Sequence, residues 1–142
     1  MNVSENKSIA AKIIEDIFNG RAMENLPSLI APGIVVHDTD KEIVGMKALR
    51  TGIANLHHGF PDLRYTIEDM MGENDRVTIR ATGAGTDKGS FRNIAPTGKT
   101  IRYTVILIWR FEDQRLAEHW SVSDVVGIFQ QLGVTFIFPN AE

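Results

Sequence analysis

The stretch LAEHWSVSDVVGIFQQLG, residues 116–133, reads as strand, turn, helix. Leu116 to Val122 is rich in apolar and aromatic residues and follows a turn, which suits the last strand of a sheet. Asp124 stands where that strand stops and a periodic apolar segment begins: Val125, Val126, Ile128, Phe129 and Leu132, with Gly133 as the stop signal. A carboxylate there has two jobs open to it. It can cap the helix by accepting orphan backbone N–H groups of the first turn. It can also act as an acid/base group at the mouth of a cavity enclosed by sheet and helix.

Working outward, four strand-like runs with period two precede or include this stretch: Leu63–Met71, Arg76–Thr86, Thr100–Phe111 and Leu116–Val122. Their connections carry turn residues, Gly72-Glu73-Asn74-Asp75, Pro96-Thr97-Gly98 and Glu112-Asp113-Gln114, and short connections favour antiparallel neighbours. Upstream the period is helical. Ile9, Ile13, Ile14, Ile17 and Phe18 form one stripe that Ser4 opens and Asn19-Gly20 closes. Met23 to Ile30 suggests a short second helix near Pro27, Ile34–His37 a short strand, and Gly45–His58 a third helix. Helices, then a meander of long strands, then a final helix is an α+β layout. The run Thr104–Trp109 is apolar on both faces, so both are expected to be covered, one of them by a partner subunit in a homodimer through the sheet.

The 142 residues fit one domain, 1–142. A net charge of −3 gives no electrostatic footprint for nucleic acid or an anionic membrane. There is no cysteine, hence no disulfide, thiolate chemistry or cysteine-bound metal. No run of ~18 apolar residues offers a membrane span, and the first residues do not make a secretory signal, so a cytoplasmic protein is expected.

Few residues carry chemistry. His37, His57, His58 and His119 show no metal-ligand spacing, and no Gly-x-Ser-x-Gly elbow surrounds Ser121 or Ser123. Strand alternation puts Glu118, Trp120 and Val122 on one face and His119 and Ser121 on the other, with Asp124 joining the Trp120 face. An apolar wall beside Asp124 would raise its pKa by desolvation, which suits acid/base work near neutral pH. Core packing is the plainer role for Trp120, and a half-exposed sheet position the plainer one for His119. His37-Asp38 and Arg64 could reach the same cavity. Arg92, on a loop where a pocket rim is expected, reads first as a solvated surface residue, with contact to an acidic substrate group as the alternative.

Five segments together resemble the SnoaL-like polyketide cyclases: FPDLRYTIEDM (60–70), DRVTIRATGAGTDKGSF (75–91), APTGKTIRYT (95–104), WRFEDQRLAEHW (109–120) and DVVGIFQQLG (124–133). That family shares the cone fold of the nuclear transport factor-like and ketosteroid isomerase-like proteins. The resemblance covers nearly the whole chain. It implies a cone-shaped barrel in which N-terminal helices and one C-terminal helix close a strongly curved antiparallel sheet around a deep apolar pocket. It implies an intramolecular aldol condensation that closes a ring of a polyketide ester without metal or organic cofactor. By the match of His-Trp-x-x-x-Asp, Asp124 would be the acid/base, and His119 or His37 would hydrogen-bond the enolate oxygen. Trp120, Phe60, Arg64, Trp109 and Tyr103 would bind the apolar or aromatic substrate.

Three readings follow. The chain is a cofactor-independent cyclase or isomerase of a polyketide-like or steroid-like molecule, and Asp124→Asn would then abolish turnover while still capping. Or it is a small-molecule-binding or interaction module in which Asp124 merely caps. A hydrolase or dehydratase of the same fold would need a second polar group converging with Asp124.

Overall fold

The computed structural model describes residues 2–37 and 40–140; Asp38 lies outside them. The first helix, α1 (Val3–Lys12), is capped two residues before Ser4, because the Asn2 side chain accepts the Glu5 N–H at 2.8 Å. It runs on as a wider π-turn, Ile13–Asn19, whose Ile13, Ile14, Ile17 and Phe18 are buried. The wider winding places Asn19 against the sheet, where its side chain donates to the Tyr65 carbonyl (2.9 Å) and accepts from the Tyr65 N–H (2.7 Å). After a tight turn comes the short helix α2 (Leu26–Leu29), with Pro27 in its first turn, where no intrahelical N–H is needed.

The sheet has six strands in the order β2-β1-β6-β5-β4-β3. These are β1 (Ile30–His37), β2 (Glu42–Val44), β3 (Arg64–Glu73), β4 (Arg76–Thr86), β5 (Thr100–Glu112) and β6 (Arg115–Ser123). The expected meander β3 to β6 is antiparallel throughout. Two features were not legible beforehand. β1 pairs with β6 in parallel, and the three-residue β2 turns back along β1 as an antiparallel edge. Helix α3 (Met46–Gly59) and helix α4 (Val125–Gln131) complete the chain.

Burial alternates strictly along β5. Ile101, Tyr103, Val105, Leu107, Trp109 and Phe111 are buried, while Ile106 and Ile108 between them keep 42% and 36% of their surface. Period-two geometry sends the first set inward and the second outward. The inward set packs against the π-turn and α3 to make one core. The outer face is bare in the single chain, with Val122 and Val126 also exposed. Among the described residues, no helix is long and apolar enough to cross a membrane.

Candidate functional site

The concave side of the sheet, with α3 and the π-turn over it, encloses a cavity of about 750 Å³ that opens to solvent. Register decides what lines it. Trp109 stands opposite His119 across the β5–β6 pair, Leu107 opposite Ser121, and Val105 opposite Ser123. On the far side of β6, Val36 of β1 is level with His119. The inward column of β6 is therefore His119, Ser121 and Ser123, all of which line the cavity. Phe18, Leu49, Ile53, Leu56, Val105 and Leu107 supply an apolar body.

His119 is deeply set in this wall, with 8% of its surface left. The indole N–H of Trp109 donates to its Nδ1 at 2.7 Å. An indole only donates, so Nδ1 is the acceptor, and the neutral ring carries its hydrogen on Nε2. Burial, reinforced by His37 nearby, pushes His119 down to about 4. At neutral pH it is an uncharged imidazole with one N–H to offer. None of the hydrogen bonds among the described residues engages its Nε2.

Lower in the same wall Tyr65, which lines the cavity, shares a 2.9 Å hydrogen bond with the buried Tyr103 hydroxyl. Burial drives both phenols upward, so both stay protonated. Gly83 faces these rings from β4. A Cβ there would come within 2.6 Å of Tyr65 and 2.7 Å of Tyr103, so only glycine lets the pair stand side by side.

The acid/base expectation for Asp124 needs correction. Its side chain accepts the Gly127 N–H at 2.9 Å as the N-cap of α4, it is exposed, and it does not line the cavity. The reason is parity. The Asp124 N–H still bonds the Thr104 carbonyl at 3.0 Å, so the residue continues the strand in phase with Trp120 and Val122, and that phase points outward. The alternation was right, but the hollow lies on the His119 side of the strand.

Trp120 is displaced from the cavity for the same reason. It stacks on the His37 ring on the outer face, centroids 4.6 Å apart, with the Arg76 guanidinium 5.0 Å from its centroid. His37 borders the cavity, yet its Nε2 is held by Glu118 at 2.6 Å, and Glu118 in turn accepts from Arg110 Nε at 2.9 Å. Although burial works against it, the bonds from His37 and Arg110 hold the Glu118 carboxyl below the usual carboxylate range. Arg64 is exposed and pairs loosely with Glu15 at 3.6 Å. Phe60 is buried against Phe91, and Trp109 and Tyr103 sit behind lining residues and do not line the cavity themselves. Of the expected set, then, His119 and His37 reach the cavity, while Trp109 and Tyr103 sit behind it, hydrogen-bonded to the lining residues His119 and Tyr65.

Sequence reasoning gave no site role to His58 or Tyr65, though it did place the loop bearing Arg92 at an expected pocket rim. His58, Asn55, Ser90, Arg92 and Asn93 form a polar rim. No Asp or Glu lines the cavity among the described residues, and none of their His, Asp and Glu side chains group as a metal site would require. The doubled histidine at the end of a predicted helix was the available signal. His57 turns inward to the Phe18 carbonyl (2.8 Å), and His58 is left at the rim.

Comparison with known proteins points one way. The sequence model described as SnoaL-like polyketide cyclase matches residues 8–132. No curated protein matches. Among solved structures, AclR of Streptomyces galilaeus, a candidate hydroxylase, is 25% identical over 97% of this chain and 91% of its own, with a TM-score of 0.85. IdmH of Streptomyces antibioticus, a candidate polyketide cyclase, is 29% identical over 91% of this chain and 99% of its own, TM-score 0.80. A SnoaL-like protein from a Jannaschia species, 17% identical over 94% of each chain, TM-score 0.86, shares the cone fold.

Proposed function

The chain belongs to the SnoaL-like polyketide cyclase family, and on that premise we propose that it is a cofactor-independent cyclase or isomerase acting on an apolar, ring-forming carbonyl compound. One observation carries this reading: a buried imidazole held neutral, its Nδ1 occupied by Trp109, its Nε2–H left for a ligand in an apolar cavity. A neutral imidazole donor placed where a carbonyl oxygen becomes an enolate stabilises the developing charge, and such preorganised donors act most strongly where water is scarce.

In this scheme the substrate's rings lie against Phe18, Leu107 and Ile53. His119 donates to the carbonyl oxygen from Nε2. A base removes the proton from the adjacent carbon, and the C–H electron pair becomes the enolate. The enolate carbon attacks a second carbonyl of the same molecule, and the resulting alkoxide takes back the proton from the base. His58, an imidazole lining the cavity that no described hydrogen bond engages, is the base this reading assigns, in place of Asp124. Proximity of the two carbonyls within the cavity supplies much of the remaining barrier reduction.

The test is α-proton exchange with solvent deuterium in 2-tetralone, followed by NMR. The protein should accelerate exchange, and His119→Gln should lower the rate roughly 100-fold, the scale of one oxyanion donor. Exchange unaffected by His119→Gln would overturn the assignment. That no carboxylate lines the cavity among the described residues favours a second reading, a non-catalytic carrier of an apolar ligand; binding of 2-tetralone with no acceleration of exchange would establish it. The uncovered outer face, Ile106, Ile108 and Val122, supports a sheet-to-sheet homodimer as the working assembly.

A further inference from the structure

The rim carries a charge that the proposed chemistry does not use. Arg92 lines the cavity mouth, and its guanidinium lies 5.6 Å from the Phe91 ring centroid. Phe91 is itself fixed, packed against Phe60 (5.1 Å) and Phe129 (6.1 Å).

The loop that bears Arg92 is tied at several points. The Ile94 N–H bonds the Phe91 carbonyl at 2.9 Å, closing a tight turn with Arg92 and Asn93 at φ +49° and +65°. The Lys88 and Gly89 N–H groups bond the Gly59 carbonyl at 3.1 and 3.0 Å, which ties the loop to the end of α3. Buried Asp87 accepts both the N–H and the hydroxyl of Thr97 at 2.9 Å, fixing the loop's return. Arg92 is thus presented by a braced turn, over an aromatic platform, at the mouth of an apolar hollow.

Arg64, Arg80 and Arg110 each pair with a carboxylate, at 3.6, 2.7 and 2.9 Å, while most other arginines do not among the described residues; what sets Arg92 apart is its place in the cavity lining. Among the described residues no carboxylate pairs with Arg92, and none lines the cavity. The chain as a whole is negative, −3, yet the mouth of its cavity presents an unpaired guanidinium with neutral donors beside it, Asn55, Asn93 and Ser90. A guanidinium presents a planar fork of donors that matches a carboxylate in bidentate geometry.

We infer that the cavity selects an amphipathic acid: an apolar fused-ring body inside, and a free carboxylate at the rim held by Arg92, in preference to the corresponding neutral ester. This rests on the proposed reading of the cavity as an apolar ring-binding site and names its ligand class. The bond forms at a wet rim, so it adds selectivity to the apolar burial that holds the rings.

The experiment compares 2-naphthoate with methyl 2-naphthoate by titration calorimetry, on the full chain and on Arg92→Gln. The native protein should bind the acid roughly 3- to 10-fold more tightly than the ester at low salt. That advantage should shrink at about 0.5 M salt. Arg92→Gln should abolish the preference and leave ester affinity unchanged. Arg92 is exposed, so the variant should fold. Equal affinity for acid and ester in the native protein, or equal weakening of both by Arg92→Gln, refutes the inference and leaves the apolar ring site standing. Binding of neither compound refutes the ring site as well.

Discussion

Lowering the pH should unfold this protein earlier than its carboxylates alone would dictate, and His119 should be the main reason. Its folded value of about 4 lies below the ordinary 6.5. Between those values the unfolded chain binds a proton that the native state refuses, so stability is complete above about pH 7 and falls as the pH drops. The gap of roughly 2.5 units, at about 1.36 kcal/mol each, amounts to about 3 kcal/mol. About 2.5 kcal/mol of it is lost between roughly pH 7.5 and pH 4.5. His57 is also lowered, chiefly by burial, and adds to the loss with the same sign. Asp62 and Glu118 are lowered carboxylates; their contribution is present above the unfolded carboxylate range and disappears only below it, outside this window. Urea unfolding across this range, read by tryptophan fluorescence, gives the measurement. In His119→Gln the amide oxygen can still accept from Trp109, but nothing at position 119 titrates. The variant should keep only the smaller part of the pH dependence, the part that His57 carries. If native protein and variant show the same slope, His119 is not held neutral by the fold, and the donor role assigned to its Nε2–H falls with it.

Three further outcomes follow from the geometry. Asp124→Asn should leave α-proton exchange unchanged, because the residue caps α4 outside the cavity, whereas Asp124→Ala should cost about 1 kcal/mol in stability through the lost cap; loss of exchange in Asp124→Asn would restore the acid/base role expected from the sequence. Gly83→Ala should destabilise by about 1–3 kcal/mol, since the methyl must push the Tyr65 and Tyr103 rings apart; a neutral thermal-denaturation result would show the pair is not packed as described. Light scattering at micromolar concentration should report a dimer that Val122→Lys, at a 75% exposed position of the outer face, converts to monomer; a native monomer refutes the sheet-to-sheet assembly.

The sequence by itself determined the architecture. The change from helical to alternating period at Leu63, the turn residues between strands, and the Asp124 start and Gly133 stop of the last helix are local signals, and local signals fix elements because the backbone reads only its near neighbours. They also fixed which residues of β6 share a face. Which face is the hollow one was decided elsewhere. Ile106 and Ile108 blur the alternation only in mid-strand; over its length β5 sets Thr100, Arg102, Arg110 and Glu112 against a wholly apolar face, and what sequence left open was which face of β6 shares it. The parallel pairing of β1 with β6, the helices laid over the His119 side, and the register that sets Trp109 opposite His119 settled it. A one-residue difference of phase carries every side chain across the sheet, and so Asp124 and Trp120 lie outside while His119 lies within. The rim depended still more on tertiary structure. The sequence suggested a rim loop for Arg92 but left its role open; the tied turn and the Phe91 platform under its guanidinium are tertiary facts. Charge, burial and tautomer belong to the assembled environment of a side chain, and no string of neighbours in sequence contains them.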